Sequence, residues 1–256
     1  MNIDVVFLDM MTLIKSELVP YKTNLTKYRI GGMDDGGYAI CDIPADGLYS
    51  YGSNDQTEFE RSFYEKYKKP SWVYDHTING ITNKPDYIHF FKQGVSHEKT
   101  HDMDTIDNQI SANGHDNCRN MFAQIDIEGC EWTAIKKSEK IKDFSQIIVE
   151  YHFNGGGYNG NPLFVLKNFD NIINTLKFMN EHFICVHIHG NNSPAMAPWL
   201  DINCPCVIEC TYVRKDLVTH KEIDMQPYPI PGMDFPNNKT RPDMPLTWWK
   251  IPPSTV

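Results

Sequence analysis

Five groups of polar residues stand where apolar, strand-like runs of the sequence stop. YSYGSND closes with Gly52, Ser53, Asn54 and Asp55, and SWVYDH with Asp75 and His76. MFAQIDIEG closes with Asp126, Glu128 and Gly129, and SQIIVEYH with Glu150 and His152. FICVHIHGNN closes with His189, Asn191 and Asn192. In an open α/β sheet, ligands bind beyond the carboxyl ends of the strands. Carboxylates and imidazoles collected at that rim can hold a cofactor and move a proton.

The first two groups form a pair. Gly52 permits a sharp turn and close approach of backbone to a ligand. Asp75 follows at about the 20-residue interval at which an acid binds ribose hydroxyls. No GxGxxG is present, so a pyrophosphate has no cradle. Ser53, Asn54 and Asp55 instead offer side-chain oxygens and a negative charge. Such a loop suits a cofactor with a ribose and a cationic amino-acid part, which describes S-adenosylmethionine (SAM). The alternative is a plain glycine turn with a capping residue.

The elements that must position these groups alternate. Residues 56–69 read as a helix with Phe59, Phe63, Tyr64 and Tyr67 on its apolar side, ended by Pro70. Strands are expected over 48–52, 71–75, 86–96, 121–129, 145–152, 183–189 and 206–214, with a polar loop and helix over 97–120. The run SQIIVEYH is apolar through its centre, as in a parallel strand buried on both faces. The clearest helix runs from Pro162 to Asn180, with Asn161 as cap and Leu166, Phe169, Ile172, Ile173, Leu176 and Met179 at helical spacing. The last two strands have no helix between them and suggest an antiparallel edge. The fold class is therefore α/β, with helices on both faces of the sheet.

Three segments follow from this order. Residues 1–47 form a helix-and-loop extension, 48–220 the core, and 221–256 a proline-rich tail. The tail carries Phe235, Trp248 and Trp249, which a disordered segment rarely has. It is expected to lie extended on the body, an oligomer contact being the alternative.

Composition sets limits. The 256 residues are 41% hydrophobic and 22% charged, with a net charge of -9. That balance argues against a nucleic-acid partner, which needs a basic surface. The seven cysteines are odd in number, and several lie in apolar runs, which reads as reduced, buried thiols. CPCVIEC has no second ligand pair at zinc-site spacing. No apolar run reaches the roughly 20 residues of a membrane span, and the N-terminus lacks a basic leader. A cytoplasmic protein is expected.

QIDIEGCEW (124–132) resembles the D-[IV]-E-G-x-E signature of FkbM-type SAM-dependent methyltransferases. YSYGSNDQTEFE and SWVYDHTI are similar to the first and second SAM motifs of that family. IVEYH, HIHGNN and RIGGMDDGGYAIC (29–41) also resemble its stretches, in order over residues 29–213. The resemblance implies a Rossmann-like class I methyltransferase fold: seven strands, mostly parallel, with an antiparallel terminal hairpin. It implies Gly52, Ser53, Asn54, Asp55, Asp75, His76 and Asp126 around SAM. It further implies O-methylation of a carbohydrate, such as a nucleotide-activated sugar (a GDP-heptose, for example) in capsular or surface polysaccharide synthesis. An N-methyltransferase, a non-sugar acceptor and a non-catalytic SAM-binding module are the other readings.

An alcohol acceptor must lose its proton, and a positioned base contributes roughly 10²–10⁴-fold. His152 is the first candidate, since imidazole titrates near neutrality. Glu128 and Asp126 come next, and His189 lies nearest its loop. His187 suits a core role, and Glu131 a solvated first-turn acid favoured by the helix dipole. Asp126, Glu150, His152 and Asn154 also offer oxygen and nitrogen ligands to a magnesium-like ion. The spacing leaves metal dependence open.

Overall fold

In the computed structural model the described residues are 3–156, 162–193, 197–199 and 202–246. Seven strands form the central sheet: β1 (Gly47–Tyr51), β2 (Ser71–Tyr74), β3 (Ile88–Phe91), β4 (Met121–Ile125), β5 (Gln146–His152), β6 (Phe183–Gly190) and β7 (Val207–Arg214). Five helices accompany them: α1 (Ile3–Glu17), α2 (Glu58–Tyr67), α3 (Ile106–Ala112), α4 (Glu131–Lys137) and α5 (Pro162–His182). None among the described residues is long and apolar enough to cross a membrane.

The strand order is β6-β7-β5-β4-β1-β2-β3. Pairing is parallel from β5 through β4, β1 and β2 to β3. β7 is antiparallel to both β5 and β6. The sheet is thus mixed rather than mostly parallel, with two of its six pairings antiparallel. The last two strands form the expected antiparallel terminal hairpin, with β6 at the edge and the reversed β7 inside it. The cause is the connection. No helix carries the chain from β6 back across the sheet, so β7 starts at the rim where β6 ended and runs the opposite way.

Period-two alternation sends the two faces of the sheet into two cores. Tyr49, Ala123, Ile147 and Val149 pack with Phe7, Met11 and Ile14 of α1 and with Ile172, Leu176 and Met179 of α5. Leu48, Phe122, Ile148 and Val213 pack instead with Phe59 and Phe63 of α2 and with Ile30, Tyr38 and Ile40. Those last residues belong to a hairpin, Lys27–Gly31 paired with Gly37–Cys41, in the segment read as loop. All seven residues of β5 are buried, as its apolar run requires. The stretch 86–96 breaks at Gln93: Gly94–Val95 leaves the sheet and pairs with Met103–Asp104.

The second face changes character along the strands. Near their amino ends it is apolar apart from Gln146. Towards the carboxyl ends it carries Ser50 opposite Gln124, then Glu150 opposite Glu209, and His189 opposite Glu209. The hairpin and tail cover this polar band. Gln146 clamps the hairpin: its Oε1 accepts from the Cys41 amide at 2.7 Å and its Nε2 donates to the Cys41 carbonyl at 3.3 Å. The tail is held by His187 to Asp234 (2.7 Å), His189 to Asp243 (3.0 Å), and Asn237 to Glu209 (2.6 Å). Tyr228, Met244 and Leu246 bury their side chains there. Asn161, Trp248 and Trp249 lie outside the described residues. Cys41, Cys118, Cys130, Cys185 and Cys210 are free thiols.

Replacing Gln146 by leucine orphans the buried Cys41 amide, while the Cys41 carbonyl keeps the Ile43 amide at 3.0 Å. Urea denaturation is expected to show a loss of about 1–3 kcal/mol, the cost of one unsatisfied buried donor. A change below 0.5 kcal/mol, about the scale of a surface substitution, rules the clamp out.

Candidate functional site

The sheet order turns at β1, whose neighbours are β4 on one side and β2 on the other. This is the switch point at which doubly wound sheets bind ligands. A cleft of about 560 Å³ opens there, within the roughly 300–1,000 Å³ usual for small-molecule sites. Gly52, Ser53, Asn54, Asp75, His76, Asp126 and Glu128 all line it. Asp55 does not. Its carboxylate turns outward to accept from the amide and hydroxyl of Thr82, both at 2.6 Å.

The convergence depends on Gly52. Its φ is +83°, and a Cβ there would stand 1.7 Å from the Asp126 carbonyl oxygen. Only glycine lets the ends of β1 and β4 approach this closely. The buried Asp75 carboxylate then ties the β1 loop to the β2 loop. It accepts from the Asn54 amide at 2.9 Å, and from the Thr77 amide at 2.7 Å and hydroxyl at 2.6 Å. Burial opposes its charge, but these donors hold its carboxyl below the usual range. Ser53 is buried, and its Oγ has no hydrogen-bond partner among the described residues.

Behind Asp126 lies His152, 4% exposed. Its Nε2 stands 3.3 Å from Glu128, 3.6 Å from Asp126 and 3.9 Å from Glu150, while Nδ1 is 3.4 Å from Glu131. Burial works against a charged ring. The Glu131 carboxylate 3.4 Å from Nδ1 and the charges of Glu150 and Asp126 outweigh it and raise the imidazole to about 10. A shift in this direction favours the protonated ring, and the base role expected of His152 requires that proton to leave first. Burial pushes Asp126 up to about 7, with Glu128 and Glu131 adding and His152 opposing. Burial, then Asp126 and Glu209, push Glu150 well up.

Glu131 is not the solvated acid expected. It is fully buried, and accepts from the His152 amide at 2.6 Å and the Gly129 amide at 2.8 Å. It thereby fixes the turn at Glu128 and Gly129, both at positive φ (+53° and +99°). Glu128 is thus held in a left-handed conformation that costs a non-glycine residue about 1–3 kcal/mol. Its side chain is 69% exposed. His189 is not brought to the cleft. Both its ring nitrogens are engaged, by Glu209 at 2.9 Å and Asp243 at 3.0 Å.

Several lining residues escaped the sequence reading. Asp35 and Gly36 come from the tip of the hairpin, and Gln124 and Glu60 from the floor. Glu60 stands three residues before Phe63 and seven before Tyr67, so an acid on the apolar stripe of α2 was the available signal. Ser50 Oγ lies 2.5 Å from Glu60 Oε1 and 2.9 Å from Gln124 Oε1. One hydroxyl proton serves only one of these, and a proton on Glu60 serves the other. Burial, opposed by the Ser50 contact, raises Glu60 to about 7. Asp35, Glu58, Glu60, Asp75, Asp126 and Glu128 give the cleft six acids, and no lysine or arginine lines it among the described residues.

Fold and site together define an α/β protein with an acid-lined cleft at the switch point of a seven-stranded sheet. No protein-family model matches the sequence, and no curated protein matches it. Among solved structures, the chain is similar to a Streptococcus thermophilus protein described as a hemolysin: 11% identity, TM-score 0.41, 68% of this chain and 62% of that one covered. The chain thus spans less than two thirds of that protein's length. It is also similar to a chain of a fibrillarin/Nop5p complex: 11% identity, TM-score 0.42, 75% of this chain and 94% of that one covered. Likeness at this level bears on neither activity nor substrate.

Glu60 predicts a pH dependence. Its folded value, about 7, lies above its ordinary 4.5. The folded state keeps a proton that the unfolded state loses between those values, so stability falls as pH rises through that window. The share is roughly 3 kcal/mol. Glu60→Gln is expected to flatten the fall in urea-unfolding free energy between pH 4.5 and 7 and to be the more stable protein at pH 8. An unchanged slope disproves the buried proton.

Proposed function

We propose that the chain is a SAM-dependent methyltransferase whose acceptor is a hydroxyl group of a small molecule. The observation that carries this reading is the acid-lined cleft at the β1–β4 switch point. It fits the cofactor on several counts. Asp75 stands where ribose hydroxyls bind, and Ser53 Oγ and Asp126 Oδ1 are polar atoms without hydrogen-bond partners. The acids suit the ammonium and sulfonium charges of SAM. The FkbM-type resemblance over residues 29–213 supports the same reading.

When bound, SAM supplies a methyl carbon that leaves sulfur, which keeps the bonding pair, as the acceptor oxygen bonds to it. The chain's own tasks are alignment and proton transfer. Glu128 faces the mouth of the cleft and is assigned to take the hydroxyl proton. His152, 3.3 Å from it, is assigned as a positioning residue that draws the carboxylate by its charge. Glu131 holds His152 and the Glu128 turn in place through their backbones.

The acceptor is proposed to be a neutral carbohydrate hydroxyl. The diphosphate of a nucleotide-activated sugar finds no lysine or arginine among the described residues lining the cleft, which weighs against that narrower expectation. The same acids favour an amine acceptor as the second reading.

Calorimetry with SAM and transfer of labelled methyl groups to hydroxyl and amine panels test these roles. Asp75→Asn is expected to weaken SAM binding about 10–100-fold, the weight of a charged hydrogen bond. Glu128→Gln is expected to leave SAM affinity within threefold and to slow turnover by about 10²-fold or more. His152→Ala is expected to lower turnover with SAM still bound. A wild-type protein that ignores millimolar SAM refutes the assignment.

A further inference from the structure

We propose that Asp126, Glu150 and His152 form a binding site for a divalent cation of the manganese type, at the carboxyl ends of β4 and β5 behind the cleft-lining Asp126. One ligand atom from each lies within 4.8 Å of the others. Donors sharing an octahedral ion at about 2.1 Å stand roughly 3 Å apart when adjacent and about 4.2 Å when opposite. The spacing in the protein is a small contraction away from that.

Three further observations point to a ligand. Glu150 is 5% exposed, and its Oε2 has no hydrogen-bond partner. Asp126 Oδ1 is buried and also without one. Buried carboxylate oxygens left in this state are costly unless a cation or proton meets them. Second, His152 Nε2 stands 3.3–3.9 Å from Glu128, Asp126 and Glu150. Every one of these separations is too long for a good N–H···O bond, yet each suits two donors bound to one ion. Third, the charge is unbalanced. Asp126, Glu128, Glu131 and Glu150 form ion pairs with His152 alone, and no lysine or arginine pairs with them among the described residues.

The ligand set narrows the class. Carboxylates favour manganese or magnesium, and one imidazole moves the preference from magnesium towards manganese. Asp35 and Glu209 reach Glu150 from the other side, again with ligand atoms within 4.8 Å. They add negative potential and favour a doubly charged ion over a single one. On binding, the cation replaces the ring proton at Nε2. Its use in activating an acceptor hydroxyl rests on the transferase reading; its binding does not.

Manganese titrated into chelator-treated full-length protein without SAM, with free Mn²⁺ followed by electron paramagnetic resonance, tests the site. One ion per chain is expected. Glu150→Gln and Asp126→Asn, both nearly isosteric, are each expected to weaken it at least tenfold. Added Mn²⁺ is expected to raise the melting temperature of the wild type but of neither variant, a readout that also reports folding. Absence of binding below millimolar Mn²⁺, or equal binding by wild type and both folded variants, overturns the site. SAM binding, measured separately in metal-free buffer, decides the transferase reading independently.

Discussion

The structure is organised around a concentration of carboxylates that a protein interior does not tolerate unaided. Glu150 and Glu209 face each other across β5 and β7, both 5% exposed. Like charges directly opposed in a sheet repel, and desolvation raises the cost of each. Asp126, just past β4, and Glu131, at the start of α4, stand beside His152. The surrounding elements are arranged to offset this. Glu131 gives its oxygens to two backbone amides, Asn191 donates to Glu150 at 2.8 Å, and Asn237 reaches Glu209 from the tail. His152 and His189 carry the compensating positive charge.

This constraint explains parts of the chain that lie outside the sheet. The hairpin and the tail both lie on the face where the polar band lies. A purely apolar face could have been covered by another helix. A band of acids and imidazoles needs donors at defined positions, and irregular chain supplies them from its backbone and from asparagine side chains. Asn192 donates to the carbonyls of Asn238 and Pro242, and accepts from the Asn238 amide. On the opposite face, where the strands present Tyr49, Val149 and Tyr151, regular helices suffice.

The legible part of the sequence was what periodicity and strand endings determine. SQIIVEYH and FICVHIH are read correctly because a strand buried on both faces leaves little room for polar residues. The cleft-lining groups after β1, β2 and β4 were legible because topology fixes which end of a parallel strand meets ligand. Side-chain direction was not. Asp55 sits beside Asn54 in the same loop, yet left-handed backbone at both residues (φ 45° and 58°) precedes the turn of its carboxylate out to Thr82. Glu131 resembles any first-turn acid until the β5 amide arrives to meet it. His189 ends its strand as His152 does. But an antiparallel neighbour places Glu209 against one nitrogen, and the tail places Asp243 against the other. The antiparallel last pair was legible from the missing helix before β7, but not that β7 slides between β5 and β6.

Ligand choice follows from the same electrostatics. A cleft lined by six acids, with no lysine or arginine among the described lining residues, holds a negative potential that water screens poorly in a confined space. An anion entering it meets repulsion with no compensating partner. A cation is attracted, and it also relieves the repulsion already built into the fold. Any such ligand therefore binds the native state with more energy than its own contacts supply and stabilises that state in turn. The carboxylates that burden the fold are, on this view, what makes it selective for positive charge.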